Sequence, residues 1–190
     1  MGTRNVTIIK YNGEERVRQY GQWDGYPTTA LAEIVRFLKA DGAIEHLKQN
    51  IVKCRLIPEG SFKYPKGFDE VSDFCWRRYM DLMRCSYDVC IEKIVNATKL
   101  TSADVLNYYL STRDTGYRIM DVLTTSAADA AMEMVLMQTT ETKCDWQIEA
   151  VNIIDLDAQI VTSYWHNAKR EWSFDCLPNE DELAKFEQED

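Results

Sequence analysis

The fold of this chain is decided by its first stretch, residues 1–27, which read MGTRNVTIIKYNGEERVRQYGQWDGYP. Thr7 to Lys10 and Arg16 to Tyr20 have the composition of β-strands. Asn12-Gly13 lies between them, and this dipeptide is the strongest short-range signal for a tight hairpin turn. We therefore predict that the chain begins with a β-hairpin.

A dense aromatic and amide segment, QYGQWDGYP at residues 19–27, follows this hairpin. Two interpretations fit its composition. The first is a rigid turn packed by Trp23. The second is a recognition surface, because large aromatic side chains contribute most of the binding energy at protein interfaces. Under the second interpretation the partner-binding residues are Tyr20, Gln22, Trp23, Asp24 and Tyr26.

The end of the chain also reads as strands. Residues 146–155 and 160–165 are rich in Ile and Val and are joined by a turn at 156–159, which predicts a second hairpin. A further strand is predicted at 172–176. An irregular stretch is predicted at 57–68, and helices are predicted at 30–40, 43–52, 69–97, 101–111, 115–123 and 129–137.

Strands at both ends around a helical middle predict an α+β fold in which the two terminal hairpins share one antiparallel sheet. The length of 190 residues predicts a single domain, residues 1–190. Residues 179–190 hold six acidic residues and one lysine, and we interpret them as an acidic tail that is a short helix or frayed.

The net charge of −9 is unevenly distributed. Residues 1–100 hold 16 basic and 13 acidic residues, whereas residues 101–190 hold 6 and 18. This division argues against uniform nucleic-acid binding, which needs a basic surface, and leaves direct binding open. It permits an acidic face that occupies the basic cleft of a DNA-binding partner. The carboxylates proposed for that face are Asp155, Asp157, Glu180, Asp181 and Glu182.

Simpler interpretations compete with this acidic face. A surface rich in carboxylates favours solubility without any partner. Asp157 lies at a predicted turn, where aspartate is favoured because its side chain accepts backbone hydrogen bonds.

The composition also narrows the class of protein. No run of about 18 apolar residues and no basic segment followed by an apolar one is present, so we expect neither a membrane span nor a secretory signal. The six cysteines and two histidines do not match a zinc-binding spacing. We expect no metal, no other cofactor and a cytoplasmic protein with reduced thiols.

The opening MGTR, the hairpin and QYGQWDGYP resemble the start of a widespread family of phage and prophage proteins. Weaker matches lie at 111–116 (STRDTG), 153–157 (IIDLD) and 177–178 (LP). The chain departs from the family pattern at Thr28-Thr29-Ala30, where a Gly-Gln-Gly is expected. Some members of this family resemble inhibitors of Cas9, the anti-CRISPR proteins of type II-A systems.

The resemblance implies a phage-encoded protein that binds Cas9, or another bacterial defence nuclease, in the host cytoplasm and interferes with DNA binding or cleavage. It implies a binding protein rather than an enzyme, and it leaves homodimerisation open. One alternative is sequestration of a signalling nucleotide, with bases stacked on Tyr20, Trp23 or Tyr26 and phosphate held by Arg77 or Arg113.

The other alternative is a small hydrolase with an N-terminal nucleophile. Removal of Met1 would expose Gly2, which has no nucleophilic side chain, and Thr3 would need a second cleavage.

Overall fold

The computed structural model describes residues 2–58, 61, 86–97, 100–111, 115–140 and 148–189. Within those ranges the chain forms seven strands: β1 (Asn5–Tyr11), β2 (Glu14–Gly21), β3 (Cys54–Pro58), β4 (Met134–Gln138), β5 (Ala150–Asp155), β6 (Ile160–Trp165) and β7 (Ala168–Ser173). The α-helices of the same ranges are α1 (Ala32–Leu38), α2 (Ala43–Ile51), α3 (Tyr87–Ala97), α4 (Ser102–Ser111), α5 (Ile119–Leu123), α6 (Ser126–Ala130) and α7 (Glu180–Glu187).

The main sheet has five strands in the order β2-β1-β5-β6-β7. The N-terminal hairpin is β1–β2, and its turn residues Asn12 and Gly13 both have positive φ angles, 56° and 70°. The C-terminal strands β5, β6 and β7 form an antiparallel meander. The α+β fold, with terminal strands in one sheet and helices in the middle, is therefore confirmed.

The join between the two halves of the sheet differs from an all-antiparallel arrangement, because β1 and β5 are parallel. The helical middle of the chain returns to the end of the sheet where β1 began, so β5 starts beside Asn5 and runs in the same direction. β1 therefore occupies the interior of the sheet and pairs with β2 on one side and β5 on the other.

The register arranges the helix-facing side of the sheet in rows that run across the strands. One row is apolar and lies in the main core: Val17, Ile9, Ile154 and Val161. The next row is polar and equally buried: Gln19, Thr7, Asn152 and Ser163. The last row, nearest the start of β1, contains Gly21, Asn5, Ala150 and Trp165. The opposite face of the sheet carries a second, smaller cluster: Val6, Ile8, Tyr20, Ile148 and Val151.

The helices α4 and α7 begin at side-chain caps that their sequences supply. The Thr101 hydroxyl accepts from the Asp104 backbone N–H at 3.2 Å, and the Asp104 carboxylate accepts from the Thr101 N–H at 2.9 Å. Asn179 and Glu182 form the same reciprocal capping box at the start of α7. Of the two predictions for residues 179–190, a short helix or a frayed tail, the helix is the one that forms, and its Leu183 and Phe186 are buried in the main core.

A second sheet, made of β3 and β4 in parallel, replaces two sequence predictions. Residues 129–137 were predicted as one helix, but α6 ends at Ala130 and β4 follows at Met134–Gln138. Residues 57–58 belong to β3 rather than to an irregular stretch. The helix pattern of Met and Leu in β4 is overridden because Met134 pairs with Cys54, 80 residues earlier in the chain.

Other predicted boundaries are adjusted or lie outside the described residues. The strand expected at 172–176 is β7 at Ala168–Ser173, followed by a helical turn at Phe174–Cys176. Of the helix predicted at 69–97 the described part is α3, and residues 146–147 of the strand predicted at 146–155 are likewise outside the described ranges. In the described part of the chain, no helix has the length and apolar character needed to cross a membrane.

Candidate functional site: an exposed aromatic end of the sheet

The end of the sheet where β1 begins and β2 ends carries two exposed aromatic side chains. Trp23 is 60% exposed and Tyr26 is 42% exposed. Asp24 lies between them and is exposed as well. We call Trp23, Asp24 and Tyr26 the aromatic end. Exposed aromatic rings three residues apart give apolar contact area without the entropy cost of long flexible side chains, which suits them to recognition.

The backbone of the aromatic end is fixed by the first residues of the chain. The Asn5 side-chain amide donates to the carbonyls of Gly21 at 3.3 Å and Trp23 at 3.2 Å. The Gly25 N–H donates to the Thr3 carbonyl at 3.1 Å. A Cβ at position 25 would lie 2.9 Å from that same carbonyl oxygen, so the close approach of the two segments requires glycine there.

One side of the Trp23 indole is covered by Gly2. A Cβ at position 2 would lie 2.2 Å from Cε3 of Trp23, so the ring occupies the space of the missing side chain. Position 2 therefore holds no nucleophile and has no room for one in this arrangement. Thr3, the other residue considered for a hydrolase, is buried, and its carbonyl is engaged with Gly25.

Tyr26 is anchored through Trp165 at the end of β6. The two ring centroids are 5.8 Å apart with the planes tilted by 47°. The Trp165 indole N–H donates to the Glu187 carbonyl of α7 at 3.0 Å. The exposed ring of Tyr26 thus packs on a buried ring that is itself held by the C-terminal helix.

His166 borders the aromatic end in the two-residue loop between β6 and β7. Its ring contacts Trp165 edge-on at 4.3 Å between centroids, and its φ is 49°, a conformation that favours glycine. The backbone N–H of His166 donates to the Glu149 carbonyl at 2.9 Å. The Glu149 carboxylate accepts from the Arg4 N–H at 2.8 Å and lies 3.7 Å from Arg4 Nε. Sequence reasoning did not select His166, because a histidine in an αL turn position has no sequence signature.

Two predicted partner-binding residues of the opening segment lie elsewhere. Tyr20 is only 5% exposed and belongs to the cluster on the opposite face of the sheet. Its hydroxyl donates to the Gln22 side-chain carbonyl at 2.6 Å, and Gln22 is half-buried. The structure therefore separates these two side chains from Trp23, Asp24 and Tyr26, which share the surface.

The predicted acidic residues of the β5–β6 turn are at the other end of the sheet and are engaged with backbone. The Asp155 carboxylate accepts from the N–H groups of Asp157 at 3.1 Å and Ala158 at 2.8 Å. Asp157 accepts from the Gly13 N–H at 2.9 Å and so joins the two hairpin turns. Both aspartates fit the turn interpretation, and about 20 Å of strand separates them from Trp23.

The remaining predicted carboxylates, Glu180, Asp181 and Glu182, are exposed in the first turn of α7. Negative charge there is favourable because the N-terminus of a helix carries a partial positive charge. The last turn of the helix accepts, through the Glu187 carbonyl, from Trp165, the ring on which Tyr26 packs, so the acidic turn lies about 10 Å further along the helix axis.

A second polar cluster joins α2 to α6. Lys53 Nζ donates to the carbonyls of Ala128 at 3.1 Å and Asp129 at 3.0 Å and to the side chain of Asn50 at 2.8 Å. The Asp129 carboxylate lies 2.6 Å from His46 Nε2 and accepts from Asn50 at 2.7 Å. The hydrogen bond from Asn50 and, to a smaller degree, His46 lower the pKa of Asp129. The bonds close the end of a helix, so we assign this cluster a structural role.

The described residues do not form a reactive site at Cys54 or a cluster of metal ligands. Burial raises the pKa of the Cys54 thiol to about 12, so it is not a thiolate at neutral pH. Among the residues that the structure describes, no group of three or more His, Cys, Asp or Glu side chains is arranged to hold a metal ion. Arg77 and Arg113, the phosphate ligands of the nucleotide hypothesis, lie outside the described ranges.

Comparison with known proteins adds no relative to this description: no protein-family model, no curated protein and no solved structure matches the chain.

Proposed function

We propose that this chain is a phage or prophage protein that acts by binding, and that its target is a bacterial defence nuclease, with Cas9 as the first target to test. The observation that carries the proposal is the aromatic end, where exposed Trp23 and Tyr26 are held on a rigid backbone beside Asp24. The resemblance of the opening segment to phage proteins that include Cas9 inhibitors supplies the choice of target. The site of action would be the host cytoplasm.

The aromatic end suits a binding role because both exposed rings pack against other residues of the chain on one side. Gly2 and Asn5 fix Trp23, and Trp165 fixes Tyr26. Such side chains would lose little conformational entropy when a partner binds, so most of the buried aromatic area would contribute to affinity.

The acidic half of the chain supports a basic partner surface. A protein with a net charge of −9 is attracted over long range to the positively charged channel in which a nuclease holds nucleic acid. The exposed carboxylates Glu180, Asp181 and Glu182 are the best placed of those predicted, because Asp155 and Asp157 are engaged with backbone. We therefore expect affinity to fall as salt rises from low to physiological concentration.

The test is a DNA-cleavage assay in which the purified protein is titrated into several guide-loaded Cas9 enzymes. The proposal expects loss of cleavage near stoichiometric concentration, and a gel shift then shows whether DNA loading or cutting is blocked. Failure to inhibit or bind any Cas9 would remove that target from the proposal.

The contact surface is tested with Trp23→Ala and Tyr26→Ala. Each should weaken binding by about 2 kcal/mol, or roughly thirtyfold, if these rings are anchors. Met132→Ala is the matched control, because Met132 is 97% exposed and lies in the segment between α6 and β4. Equal affinity of the Trp23 variant and the control, with the variant folded, would exclude the aromatic end as the contact.

A further inference from the structure

The polar row of the sheet and Asn5 in the next row contain hydrogen-bonding atoms that the described part of the chain does not satisfy. Thr7 and Asn152 lie directly opposite each other in β1 and β5, and Asn5 lies two residues before Thr7 on the same face. All three are at most 1% exposed. The unpaired atoms are Asn5 Oδ1, Thr7 Oγ1 and Asn152 Nδ2.

The unpaired state does not depend on how the two amides are turned. Asn5 Nδ2 donates to two carbonyls, those of Gly21 and Trp23, which fixes Oδ1 as the unpaired end. Among the described residues, the side chain of Asn152 has a single hydrogen-bond partner, the Ser163 hydroxyl at 2.8 Å, which can donate or accept. Whichever atom of Asn152 faces Ser163, the other end of the amide is left without a partner.

Three buried polar atoms without hydrogen-bond partners would destabilise the folded state. They are unusual in a protein core, where buried polar groups are hydrogen-bonded to protein or to internal water. The neighbours in the row show the contrast, since the Thr115 hydroxyl donates to the Gln19 side-chain carbonyl and Gln19 Nε2 donates to the Met137 carbonyl. In the part of the chain that the structure describes, one other buried side-chain atom, Nε of Arg4, lacks a hydrogen-bond partner, and it lies just before β1.

We propose that ordered water molecules enclosed in the fold bridge the unpaired atoms of Asn5, Thr7 and Asn152. The three atoms offer an acceptor, a hydroxyl and an amide donor, which a molecule that both donates and accepts hydrogen bonds can bridge. Every side chain of the row is neutral, so the site does not favour an anion such as phosphate. Water fits the complete burial of the three residues and commonly makes about three such bonds in protein interiors.

This site also positions the aromatic end. The Asn5 side chain whose Oδ1 faces the site uses its Nδ2 to hold the Trp23 carbonyl. Gly116, with a φ of 52°, packs closely against the same side chain, because a Cβ there would lie 3.1 Å from Oδ1 of Asn5. Members of the opening segment and of the Thr115-Gly116 segment therefore meet at the water site.

The test is Thr7→Val, which removes the hydroxyl and keeps the shape of the side chain. If water bridges Thr7, the variant leaves that water short of a partner and its melting temperature falls by about 3 °C or more. If the hydroxyl is unsatisfied, the same change raises the melting temperature. Thr162→Val in β6 is the control, since its hydroxyl bonds to exposed Glu171 at 3.2 Å and should change the melting temperature little.

A crystal structure of the unaltered protein at high resolution gives an answer that does not depend on the folding of any variant. The proposal expects density for water within hydrogen-bond distance of Asn5 Oδ1, Thr7 Oγ1 and Asn152. Direct side-chain bonds that pair all three atoms would overturn it. A small organic molecule released on denaturation and seen at the same position would overturn the assignment to water.

Discussion

Lys53 is a single residue whose side chain caps the C-terminal end of α6, a helix that begins 73 positions further along the chain. Its ammonium donates to the carbonyls of Ala128 and Asp129 at the end of α6 and to the side-chain carbonyl of Asn50 in α2. Carbonyls in the last turn of a helix have no partner within that helix, so a cation placed there satisfies them and also meets the negative end of the helix dipole.

Lys53→Met should destabilise the protein by about 1–3 kcal/mol, because the carbonyls and the Asn50 amide lose a charged donor while the apolar part of the side chain is retained. Chemical denaturation at neutral pH measures the change. Lys185→Met is the matched control, because Lys185 is exposed in the last turn of α7. A similar, small effect of both substitutions would show that the Lys53 bonds are exchanged for water without cost.

Asp129 should make stability depend on pH in the acid range. A hydrogen bond from Asn50 holds its folded-state pKa below the ordinary value. The stabilisation is therefore present above the pKa of the unfolded chain and is lost as the pH falls through the lowered folded-state pKa. Asp129→Asn should flatten the decline in stability between neutral pH and about pH 3, measured by denaturation at each pH.

Asp121 should change stability with pH in the direction opposite to Asp129, because its pKa is raised rather than lowered. Burial raises its pKa, so its contribution favours the fold below the unfolded pKa and disappears as the pH rises through the raised folded-state value. Asp121→Asn should therefore raise stability at neutral pH relative to acid. If both substitutions changed the pH profile in the same direction, the assignment of these two environments would be wrong.

Single residues were predictable from the sequence where the reason for them is local. Asn12-Gly13 at the first turn and Thr101 with Asp104 at the start of α4 follow from turn and cap chemistry within a few positions. The burial of the polar residues of β1 was not predictable. Asn5 and Thr7 alternate with apolar residues in β1, which is the pattern of a strand with one wet face, and both faces of this strand are buried.

Among the elements of the fold, the loop between β6 and β7 has a strained backbone, because His166 holds a positive φ where glycine is favoured. Both His166→Gly and His166→Ala lose the contact with Trp165, so the comparison of the two isolates the backbone term. The glycine variant should be more stable than the alanine variant by about 1 kcal/mol in denaturant unfolding. Equal stability would mean that the loop relaxes to a negative φ.

The C-terminal helix α7 is a core element despite its acidic composition. Phe186 is 2% exposed and packs edge-on against Trp172 with 5.7 Å between ring centroids. Phe186→Ala should cost about 3–5 kcal/mol in the free energy of unfolding, because it leaves a cavity between α7 and the sheet. Lys185→Ala, one position earlier and exposed, should cost little. A small loss for the Phe186 variant would support the interpretation of this segment as a tail.

Elements were predictable where their partner is near in sequence. The pairing of β5 with β6 could be inferred from a run of Ile and Val on either side of a tight turn. The pairing of β3 with β4 could not, because Met134–Gln138 has the composition of a helix and becomes a strand only beside Cys54–Pro58.

The whole molecule should unfold as one unit, because a single main core includes residues from the first strand to the last helix, such as Ile9, Leu47, Leu123 and Phe186. Thermal transitions followed by far-UV and near-UV circular dichroism should therefore coincide. Two separated transitions would indicate that part of the chain folds independently, which would contradict the single domain expected from the length.

The position of β1 in the interior of the sheet has a consequence for synthesis of the protein on the ribosome. The second edge of β1 stays unpaired until β5 is made, since the partner of Asn5 is Ala150, 145 residues later. At ordinary translation speeds this delay is on the order of 10 s. During this delay the nascent hairpin exposes an unpaired strand edge. The supply of chaperones or a lower growth temperature should therefore affect the yield of folded protein more than the stability of the final fold does.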